Sequence, residues 1–481
     1  MSRVQGPGSL RWWMLVFVVL GVGMRCWFVH LHAGVAGDSL LYGDLAQNML
    51  SHHVYGFTEA GKIRPTLIRL PGYPLFLAAC FAVFGAGNFV AAVWVQVVVD
   101  LWGCWLMARL AARLWGARVG VVALGLGMLC PFTANYCAVP LTESLVIFCV
   151  VLALYGLERW VSRGGGWNVW LWVIAFALVY GIFLRPDEVL LAVVVVVGIL
   201  WVGWMGICGT HLSHEKARGE DGTPGIGGIK PVVGMYLVMA LPFLFWGVRN
   251  WRVLHVVQPL APRFANDPGE AVTYGFNRWY RTWAIDFEAT VNVYWNWDGS
   301  PVKMSDLAPR AIDDAEQLME TRKLYAMYAQ TGASTSSIDA GMMRLANERI
   351  AANPLRYYVE VPALKVVNMW LRPRTEFMNL PLDWWRFREH KRGSWECLGF
   401  AVWNAVYLVL ACVGFWRWRR GGVLAAVMVG FVVLRCALLW TIDNSEPRYT
   451  LECFPVVILL AAVAFAKPGL KPVLSSNNSG A

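Results

Sequence analysis

Charge is scarce in this sequence. Only 15% of its 481 residues are charged, against about 25% in soluble domains, and that shortage excludes an ordinary water-soluble fold. Paired cysteines are lacking too. None of the eleven cysteines belongs to a Cys-x-x-Cys pair and none falls between Trp251 and Trp395, so neither a zinc site nor a disulfide framework is indicated. Cys26, Cys80, Cys104, Cys130, Cys137, Cys149, Cys208, Cys412 and Cys436 lie in apolar runs and read as small packing residues. No internal repeat is present, which weighs against a transporter assembled from duplicated halves.

Apolar and aromatic residues are abundant, at 58% and 14%. Apolar spans lie near 11–31, 88–112, 117–138, 141–160, 166–184, 187–208, 231–250, 397–416, 421–441 and 449–466. They predict an all-α polytopic membrane protein of about ten crossings. A shorter apolar piece, 72–86, contains Pro74 and ends in Gly-Ala-Gly. Arg3 and Arg11 precede the first run, and Gly34-Val35-Ala36 has the small-residue form of a cleavage site. That run is long and contains Arg25, so an uncleaved first helix is expected.

The net charge of +10 reports orientation and does not call for nucleic acid. The basic turns are 109–118, 158–166, 214–222 and 417–422, with Lys467 and Lys471 in the tail. If 72–86 does not cross and the N-terminus is cytoplasmic, all of these fall inside, as the positive-inside rule requires. If 72–86 crosses, every one flips outward. The piece is therefore read as a re-entrant or interfacial helix. Three regions follow: a membrane module at 1–250 with a first outer loop at 32–71, a mixed, partly helical outer domain at 251–395, and C-terminal helices at 396–481. Within them, 209–230 reads as a flexible cytoplasmic loop. The stretch 336–354 reads as a helix, and 356–371, interrupted by Pro362, as a helix on the membrane interface.

This sidedness places most charges without an orientation role at the outer face. In "GDSLLYGDLAQNML" (37–50), Asp38 suits an N-cap and Leu40, Leu41, Leu45 and Met49 an interfacial face. Helical spacing puts Tyr42 on the Asp38 side, while Asp44 pairs with Asn48. "IRPTLIRLPGYPLFLA" (63–78) adds Arg64 and Arg69, fit for phosphate oxygens or for interfacial snorkelling. Glu143 sits one turn into a span, where a carboxylate is costly unless paired. "FLRPDEVLL" (183–191) crowds Arg185, Asp187 and Glu188 at one turn, and "IDNSEPRYTLECFP" (442–455) brings Glu446, Arg448 and Tyr449. Asp100, Arg25 and Arg435 fall within spans, as functional charges or as a structural pair. The aromatic run 276–299 suits either sugar stacking or the headgroup layer, with the latter favoured.

The ordered set "RLPGYPLFLA", "PLTE", "LRPDE", "RNW" (249–251) and a late "RY", behind a first-loop Asp with Tyr four residues on, resembles the C-type glycosyltransferases. Within them it resembles the dolichyl-phosphate-mannose protein mannosyltransferases and the bacterial aminoarabinose transferases of lipid A. The likeness covers most of 11–250 and returns at 336–372 and 442–460.

The resemblance implies an inverting transfer at the outer face of an inner (plasma) membrane. The donor would be a polyprenyl-phosphate sugar with its lipid held along membrane grooves, and the acceptor a glycan, lipid or protein. It makes Asp38 the general base, with Asp44 the second candidate acid or a structural side chain. Arg69, Arg185 and Arg448 are implied as donor-phosphate ligands, and Tyr42, Arg64, Glu143, Asp187, Glu446 and Tyr449 as substrate contacts. Two departures stand out: Ser39 occupies the place of a frequent second acid, and Arg69-Leu70-Pro71 stands where the aminoarabinose transferases carry Lys-Pro. With no Asp-x-Asp pair in the first loop, no cofactor is implied, and a divalent metal is compatible but not required. The alternatives are a transporter or flippase of a lipid-linked or anionic substrate, using Asp100 as a midplane coupling site, and a non-catalytic membrane subunit.

Overall fold

The computed structural model of the chain describes residues 7–31, 35, 37–213, 229–297, 299–419 and 421–467. Arg3, Gly34, Ala36, Lys471, the basic turn 214–222 and most of the expected loop 209–230 lie outside the described residues. The protein is predominantly helical, and the strands among the described residues form one two-stranded hairpin. The residues group into two compact units: Met1–Gly269 with Tyr407–Val432 and Leu451–Ala481, and Glu270–Val406 with Val433–Thr450.

The first unit begins with α1 (Pro7–Leu31), α2 (Asp38–His52), the hairpin β1 (Gly56–Glu59) and β2 (Lys62–Pro65), and α3 (Gly72–Phe84). Then follow α4 (Phe89–Trp115), α5 (Ala117–Met128), α6 (Pro131–Cys137), α7 (Glu143–Ser162), α8 (Val169–Leu184), α9 (Val189–Ser213) and α10 (Ile229–Leu254). Local chemistry sets the breaks. Asn88 caps α4 by accepting from the Ala91 N–H, and Asn168 caps α8 through Trp170 N–H. Gly116, at φ 91°, makes the tight turn between α4 and α5 that an L side chain would resist. Pro131 starts α6 after a 53° bend from α5.

Arg25 fixes that bend. Its guanidinium, fully buried, pairs with Asp100 at 2.6 Å and donates to the Met128 carbonyl at 2.8 Å and to Gly21 at 3.0 Å. Carbonyls freed where α5 ends therefore find a donor inside the bundle, as buried backbone groups require. Of the two roles left open for Asp100, the structure shows the structural pair.

Among the described residues, seven helices are long and apolar enough to cross a membrane, or eight with α5–α6 taken as one bent span. The expected count of about ten is approximate: the shorter apolar helices are α3 and α8, and α18 (Phe454–Val463), preceded by a 3₁₀ turn at Pro447–Cys453, has only 10 residues. α3, with 13 residues, extends about 20 Å, well short of a ~30 Å hydrocarbon layer. α3 is the helix expected at 72–86.

The second unit contains α11 (Tyr274–Tyr280), α12 (Phe287–Ala289), α13 (Ala315–Thr331), α14 (Ser336–Ala352) and α15 (Val361–Leu371). α16 (Lys391–Trp418) and α17 (Gly422–Thr441) each have residues in both units. The expected helix at 336–354 is α14, capped by Thr335. The stretch 356–371 is a π-helical turn, Arg356–Glu360, running into α15, with Pro362 in its first turn. Most of the aromatic run departs from both readings offered for it, Trp295 alone of its tryptophans being exposed. Trp279, Tyr280, Trp283 and Trp297 are buried and form the core of this unit. Trp297 lies flat between Phe276 (4.1 Å) and Tyr328 (4.4 Å). These rings exclude water from a domain core and are not available to sugars or lipid headgroups.

Candidate active site

α2 starts at Asp38 with Gly37 in the capping position, so Asp38 is a first-turn residue and not the cap. Its carboxylate meets Arg69 at 2.8 Å, and each side chain is about a quarter exposed. Anion and helix N-terminus reinforce one another there. One turn on, Tyr42 is buried edge-on against Tyr73 at 5.0 Å. The apolar face expected for α2 is divided: Leu45 is fully buried, while Leu40 and Leu41 are exposed.

Asp44 faces the hairpin. It accepts from Thr58 N–H (2.7 Å), Thr58 Oγ1 (2.8 Å) and the expected Asn48 (3.3 Å). Asn48 also donates to Gly56 O and Thr58 Oγ1, so this pair ties α2 to β1. Arg64, half exposed on β2, pairs with Glu59.

The rest of the first loop is anchored by Arg249, at the end of α10. It donates to Tyr55 O (2.5 Å), Thr66 O (2.7 Å) and Asn250 Oδ1 (2.9 Å), and its charge lies over the rings of Tyr55 and Trp246. Burial holds the Tyr55 phenol well above its ordinary pKa, reinforced by Tyr42 against the opposing pull of Arg249 and Arg69. Protonated, it donates to the Arg69 carbonyl at 2.9 Å. Sequence reasoning quoted Arg249 within "RNW" but gave it no role; its only signal was an arginine closing an apolar span.

Gly72 brings the Arg69 and Arg185 motifs together. A Cβ at Gly72 would lie 2.5 Å from the Phe183 carbonyl group and 2.7 Å from Leu184 N. The start of α3 therefore packs backbone to backbone against the end of α8, with Tyr180 Oη donating to Gly72 O. Arg185 leaves α8 at that point into a ring of acids: Glu452 at 2.8 Å, Glu143 at 3.3 Å and Asp187 at 3.3 Å. Glu143 and Glu452 are almost completely buried. Three carboxylates thus engage one guanidinium. Glu452 was missed because its sequence signal, one acid at the head of the last apolar run, resembles a cap.

Below this pair of motifs lies a cavity of about 660 Å³ between α3, α8 and α10. Its walls are apolar, among them Pro71, Gly72, Trp172, Phe183, Pro242 and Trp246. Trp246 carries Arg249 on its face, and Pro71 follows Arg69 by two residues, so both arginines adjoin residues of the cavity wall.

Glu446, Arg448 and Tyr449 form a second group, within the other unit. Glu446 is buried and accepts from Arg448 Nε, from Tyr449 Oη (2.7 Å) and from Asn444 (2.5 Å). Among the described residues, the grouping spaced for a metal ion is Asp383, Glu389 and His390, with ligand atoms within 4.8 Å of one another. Arg386 already pairs with both of its acids, and none of the expected site residues belongs to it.

Residues 65–213 match the family described as dolichyl-phosphate-mannose-protein mannosyltransferase. The match covers 149 of the chain's 481 residues. The matched stretch includes Arg69, Gly72, Glu143 and Arg185, the residues that the fold gathers. No curated protein sequence matches the chain. Two solved structures that resemble it are ArnT from Cupriavidus metallidurans bound to undecaprenyl phosphate and the Archaeoglobus fulgidus oligosaccharyltransferase AglB with an inhibitory peptide and a dolichol-phosphate. The first is 15% identical with a TM-score of 0.37, covering 94% of this chain and 78% of ArnT. The second is 11% identical with a TM-score of 0.42, covering 94% of this chain and 50% of AglB. The chain's multiple apolar helices are those of a multi-pass membrane protein.

Proposed function

We propose that the protein transfers a sugar from a polyprenyl-phosphate donor to an acceptor at the extracytoplasmic face of the membrane, inverting the anomeric centre. The observation that carries this reading is the Asp38–Arg69 pair beside an apolar cavity that begins at Pro71 and Gly72. The lipid chain occupies the cavity, which accepts isoprenoid units without polar cost. The phosphate is received by Arg69 and Arg249, with Arg185 held in reserve by its acids.

Phosphate binding at Arg69 trades one anion for another and releases the Asp38 carboxylate. An acceptor hydroxyl or amine then attacks the anomeric carbon and gives its proton to Asp38, while the bond from that carbon to the phosphate oxygen breaks and its electrons leave with the phosphate. Tyr42 and Glu143 line this region as substrate contacts, and Asp44 holds the hairpin in place.

Asp38→Asn tests the reading. Transfer should fall by about 10²–10⁴-fold, the usual worth of a positioned base, with donor binding and detergent-solubilised stability retained. Wild-type transfer by Asp38→Asn would sink the assignment. Lipid extracts of cells lacking the protein should accumulate a polyprenyl-phosphate sugar, which would also identify the sugar. The transporter reading loses its midplane site, since Asp100 is engaged by Arg25; uptake into vesicles without a covalent product would restore it.

A further inference from the structure

α16 is basic at both ends. Arg386, Arg388, Lys391 and Arg392 stand at its start, and Arg417 and Arg419 at its far end. Cationic residues flanking a span are favoured on the cytoplasmic side. A span joins opposite faces, however, so one of these clusters lies on the disfavoured face whichever way α16 runs. In the orientation proposed above it is the cluster at 386–392, and those cations need another reason to be there.

Local structure shows which of them are available. Bonds from Arg386 N–H to Asp383 O (2.9 Å), from Glu389 N–H to Arg386 O (3.0 Å) and from Ser394 N–H to His390 O (2.7 Å) fold the segment into a compact turn. Its acids are engaged within that turn. Asp383 and Glu389 pair with Arg386, Asp383 also meets His390, and Glu396 meets Arg392. Arg388 and Lys391 are exposed and pair with no acid among the described residues. Beside them Trp385 and Trp395 are 47% and 62% exposed, and Phe387 packs edge-on against Trp395 at 5.2 Å.

Exposed indoles interleaved with available cations, directly ahead of an apolar span, match the headgroup layer: rings at the glycerol level and ammonium or guanidinium groups against phosphates. We propose that residues 384–395 form a docking surface for the phosphate headgroups of anionic membrane lipids, with Arg388 and Lys391 as the phosphate contacts and Trp385 and Trp395 as the anchors. The surface lies apart in sequence from the candidate transfer site, and its test needs no transfer assay.

Native mass spectrometry of the delipidated full chain, titrated with phosphatidylglycerol or phosphatidylcholine, measures the contact. Each cation near an anionic surface is worth about 1 kcal/mol, or about fivefold, so Arg388→Ser with Lys391→Ser should weaken phosphatidylglycerol retention by about 25-fold. Phosphatidylcholine retention should not change, and the charge-keeping pair Arg388→Lys with Lys391→Arg should behave as wild type. Equal phosphatidylglycerol retention in the Ser pair overturns the proposal. Displacement of the lipid by 20 mM inorganic phosphate would also overturn it, by making this a free-anion site. Loss of retention on adding EDTA would do so too, by assigning the contact to an ion held by Asp383, Glu389 and His390.

Discussion

Gly72→Ala is the sharpest test of how the candidate site is assembled. The added Cβ would sit 2.5 Å from Phe183 C and O, and both are backbone atoms that cannot rotate away. Ordinary contact begins near 3.4 Å, so α3 and the end of α8 must part by about 0.9 Å (3.4 minus 2.5). Overpacking of this kind costs about 1–3 kcal/mol. The functional loss should be larger, because Arg69 precedes Gly72 by three residues and Arg185 follows Phe183 by two. A displacement near 1 Å between groups that act together can cost about 10²-fold in rate.

The assay is transfer from a polyprenyl-phosphate sugar by detergent-solubilised protein, with thermal unfolding followed on the same sample. Gly181→Ala is the paired control. It lies on α8, and its Cβ would meet Cys149 Cβ at 3.5 Å and Glu188 Cβ at 3.7 Å, which are ordinary contacts. Its transfer rate should stay within about twofold, and its stability should hold or rise slightly, since Ala favours a helix over Gly by about 1 kcal/mol. Wild-type transfer by Gly72→Ala would refute the reasoning, as would equal losses from the two variants.

Asp100→Asn should destabilise the protein by about 3–5 kcal/mol by leaving Arg25 buried without its counter-charge, and Arg25→Met with Asp100→Leu should recover much of that, both read by thermal unfolding in detergent. Trp297→Ala removes a ring stacked on two others and should cost about 3–5 kcal/mol, visible as selective loss of protease resistance in 270–350. Asp44→Ala should loosen the hairpin, raising hydrogen exchange at Gly56–Glu59, while reducing transfer far less than Asp38→Asn. Arg249→Ala should raise the KM for the donor and expose the first loop to proteolysis; an unchanged KM would remove Arg249 from the phosphate site.

The amino-acid sequence by itself determined the membrane class, most of the helical spans and the helix at 72–86, because apolar run length is read directly by a bilayer. Helical spacing also put Asn48 beside Asp44, while it was the family resemblance that singled out Asp38. Tertiary structure decided the rest. Only packing shows that Arg69 binds Asp38 while Arg185 lies in a ring of acids, because the Asp38, Glu143 and Glu452 partners are 31, 42 and 267 residues distant. Only packing turns the aromatic run 276–299 into a core, since a tryptophan's sequence signal is the same in a core and in a headgroup layer. Gly72 gives the plainest case: its role is the space it leaves empty, and only the neighbouring backbone makes that space matter.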